Sequence, residues 1–126
     1  SGDLIAYRSA IRKADAQILR LWRFVTEDPG YAGQTLFVLT NDHGRHANDA
    51  PAARGKVAIK DHGCDCAGCR HILCFAAGPG LRKGVEDATP SEQIDLAPTV
   101  AHALGVALPT AKGRVLQELW ATTPAP

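Results

Sequence analysis

Asp42 and His43 stand side by side in the stretch TLFVLTNDHGRH, residues 35–46, and a further imidazole, His62, follows in a later Asp-His-Gly triplet. A carboxylate offers a hard oxygen and an imidazole a borderline nitrogen. Together they suit zinc, manganese or iron better than calcium. Asn41-Asp42-His43-Gly44 also consists of ordinary turn formers, so a polar turn explains the quartet equally well when it is taken alone. A second chemistry is offered by sulfur, because all four cysteines, Cys64, Cys66, Cys69 and Cys74, fall close together. Cys66-Ala67-Gly68-Cys69 has the spacing of half a zinc site or of a redox pair. With no second pair at similar spacing, a loop disulfide joining Cys66 or Cys64 to Cys69 is the first expectation and free thiols the next. Cys74 is expected in the core.

The elements that must position these groups follow from periodicity. Thr35-Leu36-Phe37-Val38-Leu39-Thr40 has the composition of a strand buried on both faces, which sets Asp42 and His43 just past its C-terminal end, where open α/β sheets bind ligands. Upstream, Leu4, Tyr7, Ile11, Ala14, Ile18, Leu21 and Val25 step by three or four, the period of an amphipathic helix that Asp3 would cap and Asp28-Pro29-Gly30 would end. Between Ala47 and Gly63 the pattern dissolves into a long loop, a kind of segment that leans toward function or disorder. His71–Ala77 reads as a second buried strand closed by Gly78-Pro79-Gly80. Asp95 is placed to cap a helix from Leu96 to Leu104 that Gly105 stops.

Composition narrows the classes. The 126 residues suffice for one core, and 14 basic against 13 acidic residues leave a net charge of +1 with no basic run to suit nucleic acid. No apolar run has the roughly 20 residues of a membrane span. The even cysteine count suits an oxidising setting, periplasmic or extracellular, while the same cluster could bind zinc in a reducing one. The chain contains no Met and opens Ser1-Gly2-Asp3 directly into a helical pattern, so it is expected to be a piece of a longer polypeptide.

Taken in order, Asp42-His43-Gly44-Arg45 after a strand, then His62-Gly63, a strand ending Ala77-Gly78-Pro79-Gly80, and Ile94-Asp95-Leu96-Ala97-Pro98-Thr99 with Leu104-Gly105-Val106 resemble the C-terminal half of the alkaline phosphatase superfamily of phosphatases, phosphodiesterases and sulfatases. The resemblance implies an α/β fold, part of a three-layer α/β/α sandwich with a mainly parallel central sheet, with residues 1–126 as the C-terminal portion of a larger catalytic domain. It implies two neighbouring divalent metal ions, zinc before manganese, with Asp42 and His43 on one and His62 on the other. The expected activity is hydrolysis of a small phosphate or sulfate ester, in which two metals clamp the transferred group. The family's nucleophilic Ser or Thr has no counterpart here, so the rest of the polypeptide would supply it and the isolated segment would be inactive. Two other classes remain open: a non-catalytic metal-binding module, and a zinc or redox protein built on Cys64, Cys66 and Cys69.

Arg45 is a candidate contact for a phosphate or sulfate oxygen, though an arginine on a loop needs no special role. Lys56 and Lys60 stand in the same position. His46 is a weaker ligand candidate, and His71 and His102 are read as packing or surface residues. Asp95 is read as structural.

Overall fold

The computed structural model describes residues 4–45 and 65–121. Its elements are helix α1 (Leu4–Glu27), strand β1 (Phe37–Thr40), the single-turn helix α2 (Ala67–Arg70), strand β2 (Cys74–Ala77) and helix α3 (Leu96–Ala103), with 3-10 turns at Gln93–Asp95 and Gln117–Leu119. The chain divides into two compact units, one of Ser1–Ala32 with Leu39–Phe75 and the other of Gly33–Val38 with Ala76–Pro126.

The two strands form one antiparallel sheet. Its direction is visible at both ends: Gly78, past the end of β2, lies against Thr35 and Leu36, before the start of β1. At the other end, Asn41 after β1 bonds Leu73 before β2. The expected three-layer sandwich with a mainly parallel central sheet is therefore corrected: the described residues hold a two-stranded antiparallel sheet and three helices. Apolar composition says that a strand seeks burial, but it does not fix the direction of its neighbour.

Burial is corrected as well. Residues of β1 are half-buried rather than enclosed on both faces, and in β2 Cys74 and Phe75 are exposed while Ala76 and Ala77 are half-buried. Cys74 is thus not a core residue, because with one partner strand and alternating faces much of the strand surface stays uncovered. Atoms packed near its sulfur still push the Cys74 thiol above its ordinary pKa.

In the first unit, α1 forms as its three-and-four spacing dictates. Only the stripe Ile18, Trp22 and Val25 is half-buried, however, while Tyr7, Ile11 and Leu21 of the expected core face are exposed. Trp22 meets Phe75 edge-on at 6.0 Å between ring centres, and Phe24 tilts onto Tyr31 at 5.1 Å. The helix stops where expected: Asp28 accepts the Gly30 N–H through Oδ1 at 2.8 Å and the Tyr31 and Ala32 N–H groups through its carbonyl.

The second unit is stitched by polar bonds around the buried Leu81 and Leu116. Asp95, only 6% exposed, is not the side-chain cap of α3 that its position suggested. Its carboxylate turns back to accept the Glu92 N–H, closing a capping box over the 3-10 turn, and also accepts the Arg114 N–H, both at 2.9 Å. These two bonds, the Glu92 one foremost, hold the Asp95 carboxyl below its ordinary pKa. Thr99, one turn further on, donates its hydroxyl to the Asp95 carbonyl at 2.6 Å and accepts the Leu116 N–H at 3.0 Å. Pro98 is buried in the first turn of α3, where a missing N–H costs nothing, and Gly105 at φ 66° stops the helix as expected.

Candidate metal half-site at the end of the first strand

The site lies in the first unit, where β1 gives way to Asn41-Asp42-His43-Gly44-Arg45. His43 Nδ1 lies 2.7 Å from the Gly44 carbonyl. A carbonyl oxygen can only accept, so Nδ1 carries a proton, and in the neutral imidazole Nε2 is then the nitrogen that can ligate. That Nε2 is turned toward Asp42 Oδ2 at 3.5 Å. The other carboxylate oxygen, Oδ1, accepts the His43 N–H at 3.0 Å and fixes the rotation of the carboxylate. Asp42 is open to solvent and His43 half-exposed.

The separation of Oδ2 and Nε2 bears directly on metal binding. Zinc binds carboxylate oxygen and imidazole nitrogen at about 2.0–2.1 Å, so two such ligands at a tetrahedral angle lie roughly 3.3 Å apart. The observed 3.5 Å requires a widening of only about 10°. The imidazole also donates its second nitrogen to a backbone carbonyl, the usual way in which a ligating histidine is held in one tautomer and orientation. The Oδ2–Nε2 separation is therefore compatible with both atoms on one borderline cation.

Two features hold this turn in place, and neither was singled out in the sequence. Asn41 donates through Nδ2 to the His43 carbonyl at 2.7 Å and accepts the Leu73 N–H through Oδ1 at 2.7 Å. By its local sequence Asn41 is only a turn former, and no local pattern links it to a residue so far along the chain. Gly44 donates its N–H to the Cys69 carbonyl at 2.8 Å. A Cβ on Gly44 would overlap the Gly68 and His71 carbonyl oxygens, so the backbone rests directly on the cysteine turn.

Arg45 lies over the Tyr7 ring, its Cζ 4.9 Å from the ring centre. His62 and Cys64, with His46, Lys56 and Lys60, lie outside the described residues. Among the described residues no three His, Cys, Asp or Glu side chains come together as a metal cluster. Cys66 and Cys69 are both thiols, so the expected Cys66–Cys69 disulfide is not formed. His71 follows α2 as its C-cap residue, and His102 packs edge-on to Trp120 at 5.4 Å.

No protein-family model, curated protein or solved structure matches the chain. No helix among the described residues is long and apolar enough to cross a membrane.

Proposed function

We propose that Asp42 and His43 are ligands of a divalent metal, zinc before manganese, in a metal-dependent hydrolase of small phosphate or sulfate esters. His62 would serve a second ion. The reading rests on one observation above the others: Asp42 Oδ2 and His43 Nε2 stand at the spacing of two ligands on one ion, with the imidazole tautomer already set by Gly44. The order of the short motifs, in which Asp42 and His43 themselves take part, resembles that of the alkaline phosphatase superfamily and is the sequence support for the reading.

When bound, the metal supplies Lewis acidity to the ester oxygen and stabilises charge as it develops there. The chain's own residues do the positioning. Gly44 holds the proton on His43 Nδ1, and the His43 N–H holds the Asp42 carboxylate in its rotation. Asn41 fixes the His43 backbone. Arg45, whose guanidinium lies over the Tyr7 ring, is the candidate contact for an anionic group of the substrate.

Titration calorimetry with zinc chloride tests the reading. Binding by the unsubstituted chain that is lost in Asp42→Asn and His43→Ala, and weakened in His62→Ala, is expected. Binding that survives all three changes and disappears only in Cys66→Ser or Cys69→Ser would overturn it. The full-length protein should hydrolyse a chromogenic phosphate or sulfate ester with the same dependence on Asp42 and His43.

A further inference from the structure

The second chemical group in the first unit is the Cys66-Ala67-Gly68-Cys69 turn, which the hydrolase reading does not use. Cys66 is extended at φ −77° and ψ 155°, and the four residues after it form α2. The turn is closed by the Arg70 N–H on the Cys66 carbonyl at 3.0 Å and the His71 N–H on the Ala67 carbonyl at 2.9 Å. Across one helical turn the Cα atoms of residues three apart are about 5 Å apart. That falls inside the 4.4–6.8 Å range a disulfide requires. Cys66 Sγ already lies over its partner, accepting the Cys69 N–H at 3.4 Å.

The two sulfurs differ in access. Cys66 is half-exposed, and Cys69, at 6% exposure, is buried beneath it. Outside the turn, the Gly44 N–H bonds the Cys69 carbonyl, which anchors the backbone while the side chains rotate. An accessible thiol, a protected thiol one turn away and a fixed backbone are the requirements of a pair that closes on itself rather than onto another molecule.

We propose that Cys66 and Cys69 form a redox-active dithiol that closes to an intrachain disulfide by exchange with a low-molecular-weight disulfide such as glutathione disulfide, Cys66 attacking and Cys69 resolving. In the first step the Cys66 thiolate bonds to one sulfur of glutathione disulfide, whose S–S bond breaks to release one glutathione thiolate. In the second the Cys69 thiolate bonds to Cys66 Sγ and expels the other glutathione. Two protein thiols are oxidised to one disulfide, and glutathione disulfide is reduced to two glutathiones, which take up the two protons. The step is independent of any metal at Asp42 and His43.

The test uses the chain carrying Cys64→Ser and Cys74→Ser, so that only the pair remains, with far-UV circular dichroism matched to the unsubstituted chain. After incubation with glutathione disulfide, acid quenching and alkylation with iodoacetamide, intact mass spectrometry should find neither cysteine alkylated, a mass lower by two hydrogens and no retained glutathionyl group. With Cys69→Ser added, the protein should retain one glutathionyl group on Cys66. Peptide mapping of the oxidised unsubstituted chain should recover a Cys66–Cys69 link. Two thiols still alkylated after exposure, a glutathionyl group retained although Cys69 is present, a covalent dimer, or a Cys64 link in place of Cys66–Cys69 would each overturn the proposal.

Discussion

Asn41 and Leu73 are joined by a 2.7 Å hydrogen bond from the Leu73 N–H to the Asn41 side-chain oxygen, while the amide of the same Asn41 donates to the His43 carbonyl. One side chain thus ties the backbone of a candidate ligand to the chain entering β2. Asn41→Ala should lower zinc affinity about tenfold, the low end of what groups orienting metal ligands contribute. Calorimetric titration of the variant beside the unsubstituted chain measures this. Asn41→Asp should be no substitute, since a carboxylate cannot donate to the His43 carbonyl.

Gly44→Ala should destabilise the first unit by about 1–3 kcal/mol, the usual cost of forcing a side chain into occupied space. The overlapping atoms are the Gly68 and His71 carbonyl oxygens, which are backbone and cannot swing aside as a flexible side chain would. Urea unfolding followed by the fluorescence of Trp22, in the same unit, gives the comparison. An unchanged midpoint would show that the turn does not rest on the cysteine segment.

Acid should weaken the second unit through Asp95. Its folded pKa lies below the unfolded value because the charged form accepts the Glu92 and Arg114 N–H groups. Glu118 behaves alike through its hydrogen bonds with the Arg114 side chain. A lowered folded pKa means that the unfolded chain binds protons first as pH falls. The stabilisation is therefore complete above the unfolded values of about 4 and is lost progressively below them, as pH descends through the folded pKa. Chemical unfolding between neutral pH and pH 3 should show this loss, and Asp95→Asn should be weaker at neutral pH and flatter in acid.

Thr99→Val should cost about 1–3 kcal/mol, because the isosteric side chain leaves the Leu116 N–H and the Asp95 carbonyl without the hydroxyl between them. Thr99→Ser keeps the hydroxyl and should lose less. Thermal unfolding of the two variants separates the hydrogen bonds from simple packing.

The parts of the fold legible in the sequence are those set by local chemistry. The spacing from Leu4 to Val25 announced α1, and Asp28-Pro29-Gly30 its end; Pro98 and Gly105 bracketed α3. Asp42 and His43 were legible as a pair because they follow an apolar strand directly. The direction of the sheet was not legible, since it depends on where the chain returns after β1, and the motif resemblance suggested a parallel architecture that the described residues do not have. Asp95 was legible as structural, but one of its two partners, the Arg114 N–H, is a long-range contact with no periodicity to announce it. The same holds for Asn41 with Leu73 and for Gly44 with Cys69.

Among the described residues the buried apolar side chains are few, Cys69, Leu81 and Leu116 with Pro98, and no large side chain is fully enclosed. Heat capacity rises on unfolding mainly because newly wetted hydrocarbon orders water, whereas wetted peptide and amide groups lower it. A chain held largely by polar stitching should therefore show a smaller calorimetric step per residue than the usual figure of about 12–15 cal/mol/K. Its stability would then change little with temperature and melt over a broad range, so that cooling should neither strengthen it much nor bring it near cold denaturation.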